Sequence, residues 1–279
     1  MDTYCLIADQ IVRIAGGLRD RLLFDFRVNY AEIPPEDEVA CTVHVGEATR
    51  MHGIHAVKAD HPVARIFTME LDPFGYLASD EDYRRITVYN RREEHLTETM
   101  LVGVYSALIS RRTVFAHGAI IDVPGYGGIL FVGDAGVGKT TQAVLWEKHR
   151  GAEILNGDKL FLGLRDDAPG QVLAYGSPWV GSSPYCVNKR VPLRAIVSLV
   201  RRPVPSARRL HELEAMSAYL PRIFLPGWDD KLTETVMETM DVMLPLVPVF
   251  EMSCAPDESA VVMLERLLLE KTEGADRGE

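Results

Sequence analysis

The chain has 279 residues, a length that suits two domains at about 150 residues each. Hydrophobic residues make up 47% and charged residues 25%, the mix of a globular protein rather than of a mainly disordered chain. Thirty Lys and Arg against forty Asp and Glu leave a formal charge of −10, which excludes a broad basic surface for nucleic-acid backbone. An anionic ligand would have to be held by a local device.

No uninterrupted apolar run approaches the roughly 18 residues that cross a bilayer, so no membrane partner is expected. The opening Met1-Asp2-Thr3-Tyr4-Cys5 lacks a basic leader region, and Asp9 and Arg13 interrupt the apolar stretch behind it. Cys5, Cys41, Cys186 and Cys254 lie far apart without a CxxC pair and read as reduced thiols. The expected compartment is the cytoplasm.

Residues 1–92 read as a small β-rich module. Cys41-Thr42-Val43-His44-Val45 and the run 65–71 alternate like half-buried strands, with a turn or loop over 34–38. From Glu93 the period changes: Leu96, Met100, Val104, Ala107 and Leu108 recur at helical spacing up to Ser110-Arg111-Arg112. The second domain is placed at 93–270. It reads as a strand over 114–123, a turn over 124–128, a short buried strand over 129–132 and a helix from about Lys139 to His149. Gly151 would be the C-cap of that helix, and Glu153-Ile154-Leu155 begins the next strand. Strands over 195–200 and 247–254 and helices through Leu232, Val236, Met240 and Leu244 and over 257–270 complete an α/β pattern. The polar residues 271–279 read as a frayed tail.

Gly133-Asp134-Ala135-Gly136-Val137-Gly138-Lys139-Thr140 fits G-x-x-x-x-G-K-[ST] at every position, after an apolar strand and before a helix. Glycines let the backbone turn its N–H groups inward onto phosphate oxygens, and the helix start adds its positive dipole end. Lys139 would reach the β- and γ-phosphates, the Thr140 hydroxyl would take Mg²⁺, and Thr141 closes the nucleotide-binding set. This is the local device that the acidic composition requires, and it points to a nucleoside triphosphate with Mg²⁺.

Asn156-Gly157-Asp158-Lys159 sits at the carboxyl end of the following strand, where ligands of open α/β sheets bind. Asp158 there either contacts the metal or accepts a proton, or else simply stabilises a strand-end turn. His117, on the strand before the loop, is by residue type alone either a hydrogen-bonded structural histidine or a catalyst.

His117-Gly118-Ala119-Ile120-Ile121-Asp122 and the run from Gly127 to Thr140 together resemble the nucleotide-binding core of bacterial HPr serine kinase/phosphorylase. The close resemblance covers about 115–160. Gly176-Ser177-Pro178-Trp179 and Val191-Pro192-Leu193 resemble shorter HPr-kinase-related proteins, often labelled phosphoenolpyruvate carboxykinase-like. The resemblance implies a P-loop core and ATP-dependent transfer of phosphate to the hydroxyl of a serine-bearing peptide, protein or small molecule. It also implies a homo-oligomer, with catalytic roles for Asp158, His117 and Lys139 and metal contacts from Thr140 and Asp158. In one respect the chain departs: Gly157-Asp158 stands where the family carries paired aspartates, so one carboxylate does one job or another group supplies the second. The alternatives are a carboxykinase-like reaction and a nucleotide-gated binding protein without turnover.

Weaker groupings remain. Cys41-x-x-His44, His52-x-x-His55 and His61 invite a zinc reading, which strand alternation opposes by placing Cys41 and His44 on opposite faces. Residues 176–183 are either a loop that closes over substrate or a surface loop pinned by a buried Trp179. Arg201 and Arg202 either reach the phosphates or are solvated loop charges, and Met237, Met240 and Met243 read as core.

Overall fold

The computed structural model describes residues 2–16, 26–28, 30, 33–46, 48–51, 54–57, 61–69, 72–89 and 96–269. It is a mixed α/β chain whose contacts divide it into two units, 1–113 with 226–236, and 114–225 with 237–279. The expected tail over 271–279 and His52 lie outside the described residues, as does the side chain of His55.

In the first unit the strands are β1 (Thr3–Ile7), β2 (Gln10–Ala15), β3 (Val39–Val45), β4 (Ala48–Met51), β5 (Ile54–Val57), β6 (Arg65–Met69), β7 (Asp72–Ser79) and β8 (Arg85–Tyr89), followed by helix α1 (Leu96–Ile109). Six of the strands form a mixed sheet ordered β1-β2-β3-β8-β7-β6, and β4 and β5 pair separately. The helix read from its apolar spacing starts at Leu96 among the described residues and packs on β3, β7 and β8. It therefore belongs with the N-terminal sheet, and the division falls at 113/114 rather than at 92. Twelve of its fourteen residues are buried, so the apolar stripe is only part of what it covers. The segment 226–236 joins this unit through Asp229, whose carboxylate takes Tyr83 Oη at 3.1 Å and Arg65 Nη2 at 2.9 Å.

The second unit contains β9 (Thr113–His117), β10 (Ala119–Val123), β11 (Gly127–Val132), α2 (Lys139–Arg150), β12 (Glu153–Asn156), β13 (Lys159–Gly163), β14 (Leu173–Tyr175), β15 (Arg190–Leu199), β16 (Ser206–Leu210) and α3 (Glu212–Tyr219). Helix α4 (Asp230–Met243) begins in the first unit, and β17 (Val249–Ser253) and α5 (Glu258–Leu269) end the second. One expectation needs correction. The single strand over 114–123 is two strands, β9 beside β13 and β10 between β11 and β12. Gly118 makes the break: a Cβ there would lie 2.7 Å from Leu130 Cδ1 and from the Phe131 carbonyl oxygen. No residue with a side chain fits so near its neighbour.

β10 and β11 form the expected hairpin, with Gly125 at φ +76° and Tyr126 N donating to Val123 O at 3.0 Å. The ten-residue β15 pairs antiparallel with β14 through its first half, then runs parallel between β11 and β17 through its second. Alternation gives one continuous apolar face: Ile121 on β10, Ile129 and Phe131 on β11, Val197 and Leu199 on β15, Phe250 and Met252 on β17. Ala143 and Trp146 of α2 and Val261, Leu264 and Leu268 of α5 cover that face. Arg150 locks the two helices together, with Nε and Nη2 each 2.7 Å from a Glu265 carboxylate oxygen. Gly151 ends α2 at φ +65° and donates to Glu147 O at 3.0 Å, the expected left-handed cap.

Candidate functional site

β11, β15 and β17 run parallel, and β12, antiparallel to β10 as β11 is, points the same way. Their carboxyl ends therefore share one edge of the sheet. That edge carries the loop 133–138, the turn 156–159 and Arg201, the place where open α/β sheets collect their ligands.

The loop leaves β11 at Gly133, and its three glycines adopt φ +138°, +72° and +115° at 133, 136 and 138. These left-handed values turn the chain directly into α2, and no side chain caps that helix. Its first N–H groups are left for an anion. Lys139, only 8% exposed, donates from Nζ to Gly133 O at 3.0 Å and Asp134 O at 3.2 Å. Burial, and then the charge of Arg222, hold its pKa below the ordinary lysine value against the pull of Asp158 and Asp134. Asp134, Ala135, Gly136 and the hydroxyl-bearing Thr140 and Thr141 are exposed, while Val137 and Gly138 are half-buried. Thr141 also lines a cleft of about 230 Å³ with Gln142, Arg201, Ser253 and Cys254, beside the ends of β15 and β17.

Asn156 builds the neighbouring turn. Fully buried, it accepts from the N–H groups of Asp158 at 2.8 Å and Lys159 at 2.9 Å through Oδ1, and donates to Ser177 O at 3.0 Å. Asp158 O accepts from Gly118 N at 2.9 Å, which ties the turn to the break after β9. His117 ends β9 there, and its Nδ1 lies 3.2 Å from Asp158 Oδ1. A carboxylate only accepts, so Nδ1 carries the proton in this pair. Burial first, then Lys139, depress the His117 pKa; Asp158 pulls it upward and is outweighed. The imidazole is accordingly neutral at pH 7.

The segment 176–183 is pinned through its buried first five residues, and Gly181 and Ser182 beyond them are exposed. Trp179 is 1% exposed and meets Phe161 edge-on at 6.0 Å. Ser177 Oγ donates to Lys159 O at 2.6 Å. Beyond it, the same segment shapes the carboxylate site. A Cβ on Gly181 would fall on Asp158 Oδ2, and a Cβ on Gly157 would fall on Ser183 Oγ, 3.0 Å from Ser183 Cβ. The space that a side chain at position 157 would need is thus filled by Ser183.

Two arginines hold the glycine loop. Arg201 Nη2 donates to Gly136 O at 2.6 Å, so this residue does reach the loop, whereas Arg202 turns away to Glu251 at 2.6 Å. Arg222 Nη2 donates to Asp134 Oδ1, also at 2.6 Å. Arg222 carried no signal in the sequence: it lies 88 positions from its partner, in no motif. A backbone bridge between Ala116 and Ile223 brings it in.

Other readings resolve away from this edge. Burial pushes the Cys41 thiol up to about 12, and His61 donates from Nδ1 to Pro62 O at 3.1 Å with Nε2 3.0 Å from the Thr87 hydroxyl. Among the described residues no three His, Cys, Asp or Glu gather as a metal cluster. Met240 and Met243 are core. A larger cleft, about 500 Å³, is lined by Arg65, Tyr83 and Asp229 in the first unit, where these three are bound to one another. No helix among the described residues is long and apolar enough to cross a membrane.

Fold and loop define the second unit as an α/β sheet presenting a glycine-rich strand–loop–helix turn beside a histidine–aspartate pair. No family model and no curated protein matches the chain. Among solved structures it is similar to the HPr(Ser) kinase/phosphatase from Coxiella burnetii, at 15% identity and a TM-score of 0.33 over 59% of this chain and 99% of that one. A likeness so slight transfers no residue roles. The site stands on its own geometry.

Proposed function

We propose that this protein is an ATP-dependent kinase that moves the γ-phosphate to a hydroxyl, with a serine-bearing peptide, protein or small molecule as acceptor. One observation carries the reading: the His117–Asp158 pair, 3.2 Å apart, and Lys139 of the glycine loop stand at the same carboxyl edge of the sheet. A phosphate-holding device and a proton-accepting device then share one edge of the sheet.

Gly133 to Thr141 and Lys139 hold the triphosphate through backbone N–H groups, the helix end and one buried cation. Asp158, a partly exposed carboxylate, and the exposed Thr140 hydroxyl are oxygen donors of the kind a hard cation takes. Mg²⁺ held by Thr140 and Asp158 would neutralise charge on the phosphates. With Nδ1 protonated against Asp158, His117 keeps Nε2 as its acceptor nitrogen. The acceptor hydroxyl gives its proton to Nε2 as its oxygen bonds to the γ-phosphorus, and the bond to the β–γ bridging oxygen breaks, releasing ADP. Histidine thereby does the work of the missing aspartate, and Asp158 is left to orient it and hold the metal.

The test is label transfer from γ-labelled ATP with Mg²⁺ to free serine and serine-bearing peptides. Transfer that disappears in Lys139→Ala and falls at least about a hundredfold in Asp158→Asn and His117→Gln supports the kinase. Tight ATP binding with no transfer to any acceptor favours instead a nucleotide-gated binding protein, which Ser183 in place of a second carboxylate would suit.

A further inference from the structure

Arg222 is placed with more care than a surface ion pair requires. The turn Leu220–Arg222 is fastened to β9 on its far side by the Ala116–Ile223 bridge, by Phe224 N donating to Phe115 O at 2.8 Å, and by the Phe224 ring on Phe115 at 5.5 Å. Three quarters of the Arg222 side chain is buried, and its Nε is buried without a partner among the described residues. Among the described residues its ion-pair partner is Asp134, which is 86% exposed. An exposed carboxylate gives little back for a guanidinium drawn out of water. Lys139 meets the same residue of the loop, its Nζ donating to Asp134 O at 3.2 Å while Arg222 holds the Asp134 carboxylate at 2.6 Å. Arg222 therefore stands at the same end of the loop as the lysine that would face the phosphates. Cations crowd this side, and the loop's own anion is a replaceable one.

We infer that Asp134 is an internal stand-in for the terminal phosphate: it holds Arg222 on the empty loop, and the γ-phosphate of a nucleoside triphosphate displaces it. Arg222 then reads the third phosphate, because the planar guanidinium matches phosphate oxygens as well as it matches a carboxylate. Arg201 differs, since its acceptor is the Gly136 carbonyl, a neutral part of the loop itself. The inference rests on the nucleotide reading above and adds a discrimination between triphosphate and diphosphate that is made by a residue outside the motif.

The experiment measures equilibrium binding of the β,γ-imido analogue of ATP and of ADP, each with Mg²⁺, to the full chain. Wild type, Arg222→Gln, Asp134→Asn and the double variant are compared. Arg222→Gln is expected to weaken the triphosphate analogue at least about tenfold and ADP less than about twofold. Asp134→Asn is expected to tighten the analogue severalfold, and the gain is expected to vanish in the Arg222→Gln background. Because Asp134 is exposed, that variant keeps the fold whatever becomes of Arg222→Gln. Equal losses for both nucleotides, or the same gain from Asp134→Asn in both backgrounds, overturn the inference while the nucleotide reading survives. Wild type that binds neither nucleotide overturns both.

Discussion

Replacing Gly181 by alanine probes the contact that shapes the carboxylate site, and Gly151 supplies the control. Both glycines are left-handed, at φ +55° and +65°, so each alanine variant carries a backbone penalty of about 1 kcal/mol. Nothing lies within 4 Å of a Cβ on Gly151, whereas a Cβ on Gly181 would fall on Asp158 Oδ2 and lie 2.9 Å from its Cγ. Moving that carboxylate adds about 1–3 kcal/mol of overpacking, so Gly181→Ala is expected to lose roughly 2–4 kcal/mol and Gly151→Ala about 1. Urea unfolding of the two variants measures the difference, with an unchanged m-value as the check that stability alone has moved. The same shift takes Asp158 off His117, now 3.2 Å away, so on the proposed kinase reading label transfer falls in Gly181→Ala. Equal destabilisation of the two variants, with equal transfer rates, would refute the packing of this loop against Asp158.

Two further expectations follow from the same unit. Trp179→Ala removes an indole that is 1% exposed and is expected to lose about 3–5 kcal/mol in urea unfolding; a loss below about 1 kcal/mol would contradict its burial. The His117 pKa is depressed from 6.5 in the folded state, chiefly by burial, so between the two values the unfolded chain binds more protons than the native one. Stability therefore rises with pH through that window and is lost as pH falls below about 6.5. His117→Gln should show a shallower decline than wild type in urea midpoints taken from pH 7 to pH 5, and identical declines would exclude the depressed value.

Much of the second unit was legible from local pattern. The hairpin around Gly125, the glycine loop and the span of α2 with its cap at Gly151 depend on backbone geometry within a few residues, which glycine placement and helical period report directly. The length of β15 and its two sets of neighbours were not legible, since strand pairing joins residues far apart in the chain. Gly118 shows the limit. Its neighbours have the composition of one continuous strand, and only the nearness of Leu130 and Phe131 makes them two. Helix α1 shows it again: its apolar spacing marks a helix but carries no mark of the sheet it covers.

The candidate site divides along the same line. By itself the sequence determined the glycine-rich turn between β11 and α2, because G-x-x-x-x-G-K-[ST] is contiguous and its shape is set by its own backbone. It also excluded a broad basic surface, from a net charge of −10. Only the tertiary structure decided that His117 meets Asp158, that Ser183 fills the space beside Gly157, and that Arg222 reaches Asp134. Those contacts join β9, the turn after β12, the 176–183 segment and a turn beyond α3. Packing of distant segments sets them, and no spacing along the chain encodes it.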